Sequence, residues 1–231
     1  YALKTYANYR AQILENQLTG LLLKINDNEV WVRLIGTFNA YNLLAIYGTA
    51  IELGLDHFEV LRLLSELESV SGRFQFIVSN QNITAIVDYA HTPDALENVL
   101  KTINDIRTKN EQLITVVGCG GDRDRAKRPI MANIASTLSD KVVITSDNPR
   151  TENPEDIIAE MEKGVEAQNY KKTVSIVDRK QAIKTACQLA QPNDIILIAG
   201  KGHETYQEIQ GVRHHFDDME VVKDLLEQMQ K

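Results

Sequence analysis

The sequence contains little cysteine, few aromatic residues and no long apolar run. Its two cysteines, Cys119 and Cys187, cannot form the disulfide framework of a small secreted protein, so we expect a reducing, cytoplasmic location. It has no apolar stretch of about 18 residues, which excludes a membrane-spanning helix. Internal repeats are absent, and no His or Cys residues stand at zinc-binding spacing, so we predict no metal ligands. What remains is the class of ordinary globular proteins.

The charge balance is acidic, with 25 basic residues, 32 acidic residues and a net charge of −7. A chain of this charge repels phosphate backbones, so we expect no nucleic-acid partner. The hydrophobic content of 43% is sufficient for one or two domains with sizeable cores. Against this acidic background, the basic residues that cluster between positions 123 and 128 indicate a local anion-binding surface.

The pattern of apolar residues changes near residue 70, which predicts two structural parts. In the first part, alternation and turn signals predict antiparallel strands near residues 2–6, 11–17, 20–25 and 29–34. Helical spacing then predicts helices at 38–53 and 57–68, the second with Phe58 facing inward. Because this part is small and has open strand edges, we expect it to be the end of a larger domain.

Beyond a predicted linker at 69–73, short apolar runs alternate with amphipathic segments. The runs predict strands near residues 74–79, 83–88, 113–118, 141–146, 173–177 and 194–199. The segments between them predict helices near residues 93–107, 125–138, 154–168, 178–190 and 217–229, with a hairpin at 204–216. This alternation predicts an α/β fold, a Rossmann-like, open and mostly parallel sheet with helices on both faces.

Three polar, glycine-rich loops follow strands of this predicted sheet. They are Gly118-Cys-Gly-Gly-Asp-Arg123, Asp147-Asn-Pro-Arg150 and Gly200-Lys-Gly-His-Glu204. In open α/β sheets, ligands bind outside the carboxyl ends of the strands, where these loops should lie. Carboxylates suit an ammonium group, and the planar fork of arginine suits a carboxylate. The mixture of both signs predicts a site for an amino-acid zwitterion.

Other interpretations of these loops remain open. The glycine turn begins like a dinucleotide-binding fingerprint, but Arg123 occupies the third glycine position and would obstruct close helix–strand packing, which disfavours a dehydrogenase. The basic cluster at 123–128 is also typical of a solvated helix start, and Asp88 could cap the following helix instead of binding a ribose hydroxyl. A non-catalytic amino-acid-binding or regulatory module of the same fold would carry the same loops.

Several short segments together resemble the Mur ligases, the ATP-dependent ligases of peptidoglycan precursor synthesis. They are Gly36-Thr-Phe-Asn39-x-x-Asn42, Ser71-Gly-Arg73-Phe, Asp88-Tyr-Ala-His-Thr-Pro-Asp94, Gly118-Cys-Gly-Gly-Asp-Arg-Asp124, Asp147-Asn-Pro-Arg150 and Gly200-Lys-Gly-His-Glu204. The resemblance covers essentially the whole chain, and the Asp-Asn-Pro-Arg quartet is typical of members that add meso-diaminopimelate instead of lysine. It implies that residues 1–70 are the C-terminal part of the central ATPase domain and residues 71–231 the C-terminal, amino-acid-binding domain.

The resemblance implies a reaction and two sets of binding residues. ATP would phosphorylate the D-glutamate carboxylate of UDP-N-acetylmuramoyl-L-alanyl-D-glutamate, and the amine of meso-diaminopimelate would attack the acyl phosphate. The implied diaminopimelate-binding residues are Arg123, Asp147, Asn148, Pro149, Arg150, Gly200 and Glu204. The implied ATP-binding residues are Asn39, Asn42, Arg73, Asp88 and His91. Arg150 would hold the distal carboxylate, which lysine lacks.

The resemblance also implies functional parts that this sequence lacks. The family's glycine-rich Walker loop, its magnesium ligands, its carbamylated lysine and its UDP-binding domain are not present, so ATP and Mg²⁺ would be held mostly by another part of the protein. We therefore expect a C-terminal fragment that is monomeric, carries no catalytic residue of its own and does not turn over alone.

Overall fold

The computed structural model describes residues 1–230 and divides them into two compact units. The first unit consists of Tyr1–Ser69 together with Asp105–Arg107, and the second of Val70–Asn104 and the residues from Thr108 onward. Lys231, where the predicted second domain ends, lies outside the described residues. Among residues 1–230, no helix has both the length and the apolar character needed to cross a bilayer.

The first unit is a three-stranded antiparallel sheet covered by two helices. Its elements are β1 (Ala11–Gln17), β2 (Gly20–Ile25), β3 (Asn28–Val32), α1 (Thr37–Glu52) and α2 (His57–Glu66). Alternate residues of β2 point into a core that also contains Leu43, Leu44 and Tyr47 of α1. The strand predicted at 2–6 does not form, because this segment bends and only Ala2 bridges to Arg10. The inward prediction for Phe58 is also wrong, since this residue is 68% exposed.

The second unit is built around a six-stranded sheet. In chain order its elements are β4 (Gln75–Val78), β5 (Thr84–Asp88), α3 (Pro93–Ile106), β6 (Leu113–Cys119), α4 (Lys127–Leu138), β7 (Lys141–Ser146), α5 (Pro154–Glu162), a 3-10 turn (Ala167–Lys172), β8 (Thr173–Ile176), α6 (Arg179–Leu189), β9 (Ile195–Ala199), β10 (Tyr206–Ile209), β11 (Val212–His215) and α7 (Asp218–Gln228). The strand order is β4-β5-β9-β6-β7-β8, and β10 and β11 form a separate hairpin. All neighbours in the large sheet are parallel except β4, which is antiparallel to β5.

Both faces of the central strands are covered, as the continuous apolar runs predict. Every residue of β5, β6 and β9 is buried. One set of alternate residues, including Val116 and Ile198, packs against α6 and α7. The other set, including Val117 and Leu197, is equally buried. A parallel sheet buried on both faces confirms the predicted Rossmann-like α/β architecture.

Helix ends in the second unit follow the predicted capping residues in most places. Asn153 caps α5 by accepting a hydrogen bond from Glu155 N at 3.1 Å, and Thr92 caps α3. The helix predicted at 154–168 stops early, at Glu162. Gly164 follows, where a Cβ would lie 1.8 Å from the carbonyl oxygen of Pro129, so a residue with a side chain would not fit where the chain passes α4.

Candidate functional site

A cleft of about 640 Å³ opens in the second unit at the carboxyl ends of the parallel strands. The predicted site residues that line it are His91, Arg123, Asp147, Asn148, Arg150, Gly200 and Glu204. They come from the loops after β5, β6, β7 and β9, which the strand order brings together. Pro149 is not among the lining residues. The fold therefore gathers acidic and basic side chains from separate loops around one cavity.

The loops after β6 and β7 are tied to each other by backbone contacts that require glycine. A Cβ on Gly121 would lie 2.0 Å from the carbonyl oxygen of Pro149. The amide of Gly121 donates to Asn148 O at 2.9 Å, and the side chain of Asp122 accepts from the hydroxyl of Thr151 at 2.7 Å. The glycine turn thus serves close packing between two loops, and it positions Arg123 at the cleft.

Arg150 has a left-handed backbone with φ of 51°, which is uncommon for a residue with a side chain. The β10–β11 hairpin holds it there, because Arg150 N donates to Glu208 O at 3.0 Å and Gln210 N donates to Arg150 O at 2.7 Å. One guanidinium nitrogen donates to Gly121 O at 2.8 Å. The remaining donors of the guanidinium stay available to a ligand in the cleft.

Asp147 is a buried carboxylate at the wall of the cleft. It is 7% exposed, and no residue between 1 and 230 donates a hydrogen bond to its side chain. Burial raises the pKa of this carboxyl, while the charges of Arg179 and Lys201 act in the opposite direction. Gly200 allows the end of β9 to approach, since a Cβ there would lie 2.7 Å from Asp147 Oδ2. A buried carboxylate without a donor suits a cationic ligand group.

Glu204 and Asn148 form a second polar group on the same cleft. Asn148 Nδ2 donates to Glu204 Oε2 at 2.7 Å. The ammonium of Lys201, which is fully buried, donates to Glu204 Oε2 and to Asn148 Oδ1, both at 3.1 Å. Sequence reasoning assigned Glu204 and Asn148 but missed Lys201, although it stands between two residues of a motif that had been singled out.

Arg179 was also missed, and it lies fully buried behind the cleft. Its guanidinium donates to both carboxylate oxygens of Asp218 at 2.8 Å and to the carbonyl of Ala199 at 3.1 Å, directly before Gly200. A signal existed in the sequence, because Arg179 begins α6, and a cation is unfavourable at the N-terminus of a helix. Such a residue needs another reason to be there, and the buried pair with Asp218 supplies it.

The arginines of the basic cluster at 123–128 have two different environments: two form ion pairs with glutamates, and one lines the cleft. Arg128 is buried and pairs with Glu152 and Glu160, and it also donates to Gly120 O at 3.3 Å. Arg125 pairs with Glu160. The two arginines hold the pKa of Glu160 at about 2. The interpretation of the cluster as a solvated helix start is therefore wrong for Arg128, whose side chain is fully buried, and holds for the exposed Arg125, whereas Arg123 lines the cleft.

The residues expected near ATP fall in both units. In the second unit, Asp88 Oδ2 accepts a hydrogen bond from Phe74 N at 2.7 Å, and burial raises the pKa of the Asp88 carboxyl. Arg73 and His91 lie on the ring of Tyr89, at 5.1 Å and 4.5 Å from its centroid. In the first unit, Asn39 and Asn42 lie on α1, where Asn42 Nδ2 donates to Asn39 Oδ1 at 3.3 Å.

The fold and the cleft define an α/β domain with a polar, charged cleft at the carboxyl ends of its parallel strands, and comparison with known proteins gives its family. A family model described as "Mur ligase, glutamate ligase domain" matches residues 72–202. The chain therefore belongs to the Mur ligase family.

Curated relatives and solved structures extend the comparison. The chain is 55% identical over all 231 residues to a UDP-N-acetylmuramoyl-L-alanyl-D-glutamate--2,6-diaminopimelate ligase of Cytophaga hutchinsonii, and 45% identical over 232 aligned positions to the ligase of that name from Oceanobacillus iheyensis. It spans 47% and 46% of their lengths, about half. A solved structure of a ligase with this name superposes with a TM-score of 0.74 at 41% identity, covering 99% of this chain and 47% of that one. The UDP-N-acetylmuramate-alanine ligase of Thermotoga maritima, at 20% identity and a TM-score of 0.67, covers 99% and 47% and shares the fold.

Proposed function

We propose that this chain is the amino-acid-binding part of a ligase that joins meso-diaminopimelate to UDP-N-acetylmuramoyl-L-alanyl-D-glutamate with consumption of ATP. The names of the relatives support the reaction. The observation that carries the proposal is the cleft, in which two carboxylates, Asp147 and Glu204, share one cavity with two arginines, Arg123 and Arg150. We further propose that the protein is monomeric and cytoplasmic and acts on small molecules.

Diaminopimelate matches this cleft because each of its ends carries an ammonium and a carboxylate. Asp147, whose carboxylate has no donor among residues 1–230, would bind an ammonium group. Glu204 has one oxygen occupied by Lys201 and Asn148, and its other oxygen would accept from an ammonium. Arg123 and Arg150 would bind carboxylates through parallel hydrogen bonds. Pro149 and Gly200 would contribute through the backbone, by shaping the loops on which these side chains stand.

ATP would supply the phosphoryl group that activates the D-glutamate carboxylate. Arg73 fits a phosphate, since its exposed guanidinium lies over Tyr89 and makes no ion pair within the described part of the chain. We propose contacts to the nucleotide for Arg73, Asp88 and His91, and, in the first unit, for Asn39 and Asn42. No group of three His, Cys, Asp or Glu side chains that could hold a metal ion occurs among residues 1–230. We propose that Mg²⁺ is held mostly by another part of the protein. This chain's part of the reaction is to bind and orient the amine.

The proposal predicts that Arg150 decides between diaminopimelate and lysine. The chain can be completed with the segment of the Cytophaga hutchinsonii relative outside the aligned residues, which we call the completed ligase. In it, Arg150→Ala should raise the KM for meso-diaminopimelate about 10- to 100-fold, since a charge-assisted hydrogen bond contributes about 1.5–3 kcal/mol. The KM for ATP should change by less than about twofold, because the guanidinium would not contact the nucleotide.

Arg62→Ala is a suitable control, because Arg62 is an exposed arginine of α2 that pairs only with Glu59 and Glu66 among the described residues. It should leave both KM values unchanged. Calorimetry on the unmodified 231-residue chain with diaminopimelate, lysine and NAD adds a binding measurement. Equal loss for ATP and diaminopimelate in Arg150→Ala, or binding of NAD in preference to diaminopimelate, would refute the proposal.

A further inference from the structure

The ammonium group of Lys201 lies beneath the cleft without lining it. Its side chain is fully buried, although burying an ammonium group is costly unless it is paired and hydrogen-bonded. Its Nζ has two oxygen partners, Glu204 Oε2 and Asn148 Oδ1, each at 3.1 Å. The ring of Tyr206 lies 5.5 Å away. Both oxygen partners belong to residues that line the cleft, so Lys201 acts on the cavity from behind.

Lys201 fixes the orientation of the Asn148 amide. Asn148 Oδ1 accepts from Lys201 Nζ and also from Glu208 N at 2.9 Å. With two donors on its oxygen, the amide must present its nitrogen to Glu204, to which it donates at 2.7 Å. A flipped amide would direct its NH₂ group toward an ammonium and a backbone N–H, which are all donors.

Lys201 also holds one of the two carboxylate oxygens of Glu204 and leaves the other without a protein donor among residues 1–230. Oε2 receives both Lys201 Nζ and Asn148 Nδ2. Oε1 has no donor from residues 1–230, and the side chain of Glu204 is 17% exposed. The carboxylate is therefore anchored through one oxygen and open to a ligand through the other.

We propose that Lys201 is a positioning residue for the amino-acid substrate: it anchors Glu204 and orients Asn148 so that the cleft offers an ammonium group one free carboxylate oxygen. This inference rests on the proposed function. It assigns to Lys201 no contact with the substrate, which separates it from the residues that line the cavity.

The first test is Lys201→Met in the completed ligase. Methionine keeps most of the length of the side chain and removes the ammonium. We expect the KM for diaminopimelate to rise at least about 10-fold, and the KM for ATP to change by less than about twofold. Lys172→Met is the matched control, because Lys172 is a half-buried lysine of the same unit whose Nζ donates to Ser139 O at 2.8 Å. It should leave both values unchanged.

A double-mutant cycle with Glu204→Gln tests whether Lys201 acts through the cleft residues. Comparing Lys201→Met/Glu204→Gln with Glu204→Gln alone gives the effect of Lys201 when the carboxylate is absent. We expect that effect to be at least about fivefold smaller than in the wild-type background. The double variant can still be measured if Lys201→Met alone fails to fold, because it contains neither buried charge. In that case its KM for diaminopimelate should differ from that of Glu204→Gln by less than about threefold.

Each outcome of these experiments has a distinct meaning. A wild-type KM for diaminopimelate in Lys201→Met, or equal effects of Lys201 in both backgrounds, would overturn the inference. A loss in Lys201→Met that affects ATP and diaminopimelate equally would also overturn it, because a general loss of structure would produce that pattern. A completed ligase that does not use diaminopimelate at all would instead overturn the proposed function.

Discussion

The buried carboxylate of Asp147 should lower the stability of the second unit. Its carboxylate is buried, receives no hydrogen bond from residues 1–230, and has a pKa raised above the ordinary value, chiefly by burial. A raised pKa means that the folded protein disfavours the charged form relative to water. Asp147→Asn, which keeps the shape and removes the charge, should therefore stabilise the second unit and impair substrate binding.

The size of the effect follows from two opposing contributions. An unsatisfied buried polar group costs about 1–3 kcal/mol, and more when it is charged. Arg179 and Lys201 offset part of this cost through their charges. We expect a net gain of about 1 kcal/mol in the free energy of unfolding, or about 2–4 °C in the midpoint of thermal unfolding for a chain of this size. The affinity for diaminopimelate should fall about 10- to 100-fold, because a charge-assisted hydrogen bond to its ammonium is lost.

A second buried aspartate of the same unit provides a control of opposite sign. Asp218 is fully buried and accepts two hydrogen bonds from Arg179 at 2.8 Å. Asp218→Asn removes the charge that balances Arg179 and should destabilise the fold by about 3–5 kcal/mol. Two isosteric substitutions of buried aspartates should thus shift the thermal midpoint in opposite directions.

The pH dependence of the free energy of unfolding tests whether the gain in Asp147→Asn comes from removing the buried charge. The carboxyl of an unfolded aspartate has a pKa of about 3.9, and that of Asp147 lies higher in the folded protein. The wild type therefore gains stability from this group as the pH falls through the raised pKa, and the gain is complete below about 3.9. The advantage of Asp147→Asn should be largest at neutral pH and disappear in acid. A variant that is less stable than wild type at pH 7, or an advantage that does not change with pH, would refute this reasoning.

Two further predictions concern Glu160 and Gly200. Glu160→Gln should lower the free energy of unfolding at neutral pH, because Arg125 and Arg128 hold the pKa of Glu160 at about 2. In the wild type, the stabilising effect of the Glu160 carboxylate should be lost as the pH falls through that value. Chemical denaturation at several pH values measures this loss. Gly200→Ala should weaken diaminopimelate binding at least about 10-fold and lower the thermal midpoint, since the backbone has a φ of +119° and the new Cβ would lie 2.7 Å from Asp147 Oδ2. Retention of wild-type affinity for diaminopimelate in Gly200→Ala would contradict the close approach of Gly200 to Asp147 as the reason for glycine at this position.

Much of the second unit could be predicted from the sequence because its strands are buried on both faces. Every residue of the run Leu113–Cys119 is buried, and the run is apolar apart from Thr115, which is the pattern of a parallel strand. The failures occurred where tertiary contacts override a local pattern. The helix predicted at 154–168 ends at Glu162, and Gly164 then passes close to Pro129, a contact that the spacing of apolar residues does not reveal.

In the first unit, the periodicity of apolar residues predicted both helices correctly but predicted the wrong orientation for Phe58. Phe58 follows the helical spacing of Leu61 and Leu64, yet it is 68% exposed while those two residues are buried. A spacing rule indicates which residues share a stripe, but the width of that stripe depends on how the neighbouring sheet is placed. The predicted strand at 2–6 failed for a related reason, because alternation alone cannot ensure that a partner strand lies alongside.

For the site, the topology of the sheet was sufficient to bring the loops together, since the carboxyl ends of parallel strands meet at one edge. The sequence could not show which charges lie underneath. Burial raises the pKa of Asp147, the charges of Arg179 and Lys201 oppose that rise, and these two cations are in turn paired with Asp218 and Glu204. Charges of alternating sign therefore continue from the cleft into the interior. Under the proposed function, these inner charges offset part of the cost of burying the Asp147 carboxylate that would face the ammonium group of the ligand.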